Sequence, residues 1–148
     1  MERRTLSRVL AMLAVVLLLT IAGTALELVL VAHDEADEQV IPFYVLGVTA
    51  AGLVVYLISP REMLRRLVQV SMLACIGTGI WGLVLHHDSN VEFKREMNPD
   101  LEGWTLTWEA LHAKSPPSLA PGAMAWIGVL GLVYAYGKRN PKPPDQGS

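Results

Sequence analysis

Four long apolar runs divide this chain, and the polar residues between them are sorted by charge. The first run, Val9 to Ala32, has 24 residues, against about 20 needed to cross the hydrocarbon core of a bilayer. The second runs from Ile41 to Ser59, with Pro42 suited to a first helical turn, where its missing N–H costs nothing. The third covers residues 63–85. Ser59-Pro60-Arg61-Glu62 ahead of it reads as a capping box, with Ser59 as N-cap, Pro60 at N1 and Glu62 reaching back. The fourth covers 119–136, with Pro121 near its start. The pattern predicts an all-α fold, a four-helix transmembrane bundle with spans at about 9–32, 41–59, 63–85 and 119–136. So short a link at Pro60 makes the second and third helices antiparallel neighbours.

One membrane domain over residues 1–137 follows from this, with 138–148 as a disordered, Pro-rich cytoplasmic tail. The basic start and Gly23-x-Ala25 also fit a cleavable signal peptide. Secretory apolar cores run to about 7–15 residues, and this one continues beyond that, so the first helix is expected to stay.

The outer loop, 86–118, is the one long segment that cannot be embedded in lipid. Asn98-Pro99-Asp100 looks like a helix start: N-cap, proline at N1, an acid in the first turn. Trp104, Trp108 and Leu111 then recur at i, i+4 and i+7. They predict a short extracytoplasmic helix, Pro99 to Ala113, lying on the outer surface with its tryptophans at headgroup level. Ser115-Pro116-Pro117 ends it.

Charge sets the orientation. Four spans place the N-terminus, the Pro60 link and the C-terminus on one side, with nine of the twelve basic residues: Arg3, Arg4, Arg8, Arg61, Arg65, Arg66, Lys138, Arg139 and Lys142. The positive-inside rule makes that side cytoplasmic. The other side receives three basic residues, ten acids and all four histidines, a local charge of about −7. Basic residues confined to helix ends leave no nucleic-acid footprint. Hydrophobic residues make up 52% of the chain and charged residues 18%, which places it in the membrane class. There is no P-loop, GxGxxG, HExxH or CxxC, and the lone Cys75 can form no intramolecular disulfide.

Candidate chemistry gathers at the outer rim. Glu27 is the single acid within the apolar runs and by default faces protein rather than lipid. It shares a face with Thr20, Gly23, Thr24 and Asp34, and the third helix offers a matching stripe of Ser71, Cys75, Gly79, Gly82 and His86. Glycines let helices approach closely in lipid, so the two stripes are expected to pack together. Candidate metal ligands are His33, Glu35, His86, His87, Glu92, Glu96, Glu109 and His112. Imidazole with carboxylate suits a divalent transition metal, and the spacing does not choose among them. If the third helix extends past the membrane, Glu92 and Glu96 share a face. Glu109-x-x-His112 has the i, i+3 spacing of di-metal carboxylate bundles, which use two such pairs where this chain has one. Haem held by His33 and His86 is a narrower variant. Against each of these stands a plain reading: a solvated acidic loop, interfacial histidines, a snorkelling carboxylate.

Two stretches, His33-x-Glu35-x-x-x-Gln39-x-x-Pro42 and Asn90-x-Glu92-Phe93 through Trp108-Glu109-Ala110-Leu111 to Pro121-Gly122-x-Met124, resemble a family of small four-span bacterial membrane proteins with no assigned activity. The resemblance implies the bacterial cytoplasmic membrane and carries no chemistry. The residues themselves favour a non-catalytic integral membrane protein whose acidic, His-rich outer face binds a cation or a protein partner. Competing readings are a structural accessory subunit of a larger complex, a metal- or haem-dependent redox protein, and a transporter, which four short spans could form only as an oligomer. A homo-oligomer stands beside a protein partner among the expected associations.

Overall fold

A computed structural model describes residues 2–30, 37–112 and 119–138. Those residues build five helices and no strand: α1 Glu2–Leu30, α2 Asp37–Ile58, α3 Glu62–Met97, α4 Gly103–Leu111 and α5 Leu119–Gly137. Four of them, all but α4, are long and apolar enough to cross a membrane. They pack in a closed ring in which α1 touches α2 and α5, and α3 touches α2 and α5. Leu17, Leu46, Leu53, Met72, Met124, Ile127 and Tyr134 fill the middle. Apolar side chains such as Leu19, Val48, Val70 and Val133 point outward and stay exposed.

The tightest seam is α3 against α5. A Cβ added to Gly79 would lie 2.6 Å from the Pro121 carbonyl oxygen and 2.8 Å from the Ala125 nitrogen. One added to Gly128 would collide with the Met72 carbonyl and Ile76. Backbones this close need glycine. The small stripe of α3 is therefore used as expected, but on a different partner: Gly79 and Gly82 meet α5, while α1 stands across the ring. On α1, a Cβ added to Gly23 would meet nothing within 4 Å. Between α2 and α3, the hydroxyl of Thr49 and the thiol of Cys75 share a buried hydrogen bond of 3.3 Å. Tyr56 of α2 meets Tyr134 of α5 edge to face, with ring centres 6.2 Å apart.

These contacts fix the relative heights of the helices. Pro121 lies level with Gly79 and Gly82, and Gly137 packs on Leu10. The ends of α5 therefore mark a layer about 28 Å deep, at 1.5 Å per residue, close to the hydrocarbon thickness of a bilayer. Glu27, half buried, sits near the edge of that layer rather than deep within it.

Several boundaries differ from expectation. α1 begins at Glu2, so the basic flank is already helical. α2 begins at Asp37, which moves Pro42 from the first turn into the second. The capping box does not form. Ser59 closes α2 instead, its N–H donating to the Val55 carbonyl at 2.9 Å. Arg61 is the N-cap of α3 and makes no side-chain capping bond. Glu62 turns forward, accepting from Arg65 Nε at 2.8 Å and Nη2 at 2.6 Å, and from Arg66 Nε at 3.2 Å. Two guanidiniums one turn ahead outbid a neutral backbone N–H for this carboxylate. The hydrogen bonds from Arg65 above all, then those from Arg66, hold the Glu62 carboxyl at about 2, below its ordinary 4.5.

Candidate functional site

The candidate site is the part of α3 that outruns its neighbours. α5 begins two residues before Pro121, level with about residue 83 of α3, and α3 continues to Met97. The surplus is about 14 residues, or roughly 20 Å of helix. Nothing from His86 to Met97 breaks a helix, and Lys94 and Arg95 in its last turn suit the negative end of the dipole.

Asn98-Pro99-Asp100 ends α3 rather than starting the next helix. Asn98 is the C-cap, its N–H donating to the Lys94 carbonyl at 3.0 Å. The Asn98 carbonyl accepts from Leu101 N–H at 3.1 Å, and its side-chain oxygen accepts from Asp100 N–H at 3.3 Å. Proline at the second position of such a turn has its φ preset, and here it also denies α3 another residue. Gly103, at φ +57, then sets the chain into α4. That left-handed conformation is strained for other residues, so this glycine is tied to the turn.

The result is a hairpin. α4 folds back on α3, burying Leu106 and Ala110 at 5% and 1% exposure. The Lys94 ammonium lies 3.0 Å from the Glu109 carboxylate and ties the two helices. On the far side of α4, Trp104, Trp108 and Leu111 are 73%, 52% and 59% exposed. The expected i, i+4, i+7 face exists, and α4 is shorter than the predicted Pro99 to Ala113. It packs on α3.

Of the eight candidate ligands, His33 and Glu35 lie outside the described residues. The other six do not converge: among the described residues, no three His, Cys, Asp or Glu side chains are grouped to hold one ion. Glu109 is engaged by Lys94. His112 Nδ1 is 2.9 Å from the Trp108 carbonyl oxygen, which can only accept, so Nδ1 carries the proton. The His112 ring also packs against Trp108, with centres 4.2 Å apart and planes tilted by 43°. Glu109 is thus engaged within the hairpin, while the Nδ1 bond of His112 leaves its Nε2 lone pair as the acceptor. His87 Nδ1 and Asp88 Oδ1 are 3.4 Å apart, and His86 is half buried. Asp88, Glu92 and Glu96, with Val91 and Arg95, line an open hollow of about 490 Å³ on α3.

Sequence reasoning missed the Lys94–Glu109 tie and the glycines of α5. A 36-residue helix was legible only as a conditional extension, because nothing in the string marks where lipid stops and water begins. Comparison with family models, with curated proteins and with solved structures gives no match. The side chains alone therefore speak for function.

Proposed function

We propose that this chain is a small, non-catalytic integral membrane protein, a four-helix transmembrane bundle that presents its α3–α4 hairpin outside the bacterial cytoplasmic membrane as a binding face. Both termini are cytoplasmic in this reading. The single observation that carries it is the mismatch in length between α3 and its neighbours. α5 matches one bilayer crossing, while α3 goes on by roughly 20 Å into a segment rich in acids and histidines. Basic residues gather at the opposite end, around Arg61, Arg65, Arg66 and Lys138. Support for a partner comes from an exposed aromatic face on a helix that Leu106, Ala110 and the Lys94–Glu109 pair hold against α3. The cation reading now rests on His33 and Glu35 joining His86 at the rim.

Labelling with a membrane-impermeant maleimide in intact cells tests the arrangement. In a Cys75→Ser background, Glu92→Cys should label from outside, and Lys138→Cys only after permeabilisation. The reverse pattern would overturn the orientation, and labelling of neither before permeabilisation would overturn the outer hairpin.

A further inference from the structure

The height of the tryptophan face decides what covers it. With α5 placed across the hydrocarbon layer, the outer edge of that layer is level with about residue 83 of α3. Trp104 follows closely on the turn at the top of α3, so it stands about 20 Å above that edge. Trp108, one turn further down α4, stands at about 14 Å. The headgroup zone adds only about 5–8 Å on each side. Tilting α3 by about 40°, the extreme for such helices, would shorten these heights by roughly a quarter and still leave both rings clear. On this placement the tryptophans stand above the headgroup zone instead of within it. They are apolar rings in water, and burying them against a partner would be favourable.

Charge separates the remaining occupants. Residues 86–112 carry six acids and two bases, a net −4 with histidines neutral. Two copies of this hairpin meeting face to face would bring like charges together, which disfavours self-pairing. We infer that the Trp104–Trp108–Leu111 face docks a separate extracytoplasmic protein domain through an apolar pocket rimmed by lysine or arginine. The inference rests on the membrane reading above and names the partner class for its outer hairpin. The aromatic side chains would be the buried anchors. The net negative charge of the hairpin would steer the encounter and make it salt-dependent.

Site-specific photo-crosslinking in living cells tests this, with a benzophenone amino acid placed at Leu111 on the face and at Glu92 off it. The expected result is one adduct at Leu111 and none at Glu92. The partner peptide in that adduct should be apolar and flanked by basic residues. Its yield should fall at least about tenfold in Trp104→Ala/Trp108→Ala, and it should fall as salt is raised. Both rings are exposed, so that variant leaves the buried Leu106–Ala110 seam intact; circular dichroism checks it. An adduct with lipid, a dimer of this 16.2 kDa chain, or equal capture at both positions would each overturn the inference. So would no adduct in protein whose Glu92→Cys form labels from outside. Failure of that outside labelling would overturn the membrane reading itself, which keeps the two failures distinct.

Discussion

Lys94 and Glu109 meet at 3.0 Å across fifteen residues of chain, and this ion pair holds α4 against α3. The ammonium is 26% exposed and the carboxylate 48%, so water and salt screen the attraction considerably. A pair of this kind is worth about 0.2–1 kcal/mol. The buried Leu106 and Ala110 do more to hold α4 down, and the ion pair sets its register. Lys94→Glu should loosen α4, seen as faster amide exchange over 103–111. Lys94→Glu/Glu109→Lys should restore much of the protection. Equal exchange in all three proteins would show that the pair has no such role.

The α3–α5 seam gives the sharpest contrast in stability. Gly79→Leu forces a side chain onto the Pro121 carbonyl and should destabilise the protein by about 1–3 kcal/mol or more. Gly23→Leu on α1 meets open space and should be nearly neutral. Thermal unfolding in one detergent compares the two directly. Equal losses would mean that Gly23 is also a packing site, as its place in the α1 stripe first suggested.

That contrast shows how far the sequence could be read. The four apolar runs and the charge segregation require only a count, and a long apolar helix lies over each run, with α1 and α2 starting earlier and α3 running on to Met97. The stripe of Gly79 and Gly82 was visible too. Its partner was not, because a stripe says that a backbone comes close without saying whose. Asn98-Pro99-Asp100 shows the same limit at a helix end. Its residues serve equally as an N-cap with proline at N1 or as a C-cap followed by a turn. The packing of Leu106 and Ala110 on α3 decides between them. Of the proposed ligands, Glu109 and His112 lie within one helical turn, yet Glu109 is engaged by Lys94 and no third ligating side chain among the described residues joins them.

At the other end of α3, Glu62 supplies a pH dependence of definite sign. Its folded carboxyl is held at about 2, chiefly by hydrogen bonds from Arg65, below an ordinary 4.5. The stabilisation is therefore present above about pH 4.5 and is lost as pH falls through about 2. Glu62 is exposed, so the effect is small. Glu62→Gln should flatten the fall in melting temperature between these pH values relative to the wild type. An unchanged profile would remove the ion cluster as its cause.

Metal content tests the histidine and acid candidates one group at a time. Glu109→Ala and His112→Ala should leave bound metal unchanged, because neither side chain belongs to a group of three ligating residues among the described ones. Replacing His33, His86 and His87 together by alanine tests the rim itself. Elemental analysis of gently extracted protein reads both. Metal lost on changing Glu109 or His112 would contradict the placement of those side chains.

The proposed height of the hairpin above the apolar layer underlies both the binding face and its partner, and a spin label at Trp108 measures it most directly. Its collision rates with oxygen, which concentrates in lipid, and with a water-soluble nickel chelate report its depth in nanodiscs. The label should behave as fully water-exposed, against a lipid-like signal from one at Val70. A Trp108 label that is reached readily by oxygen and shielded from nickel would place α4 in the bilayer and contradict the outer hairpin.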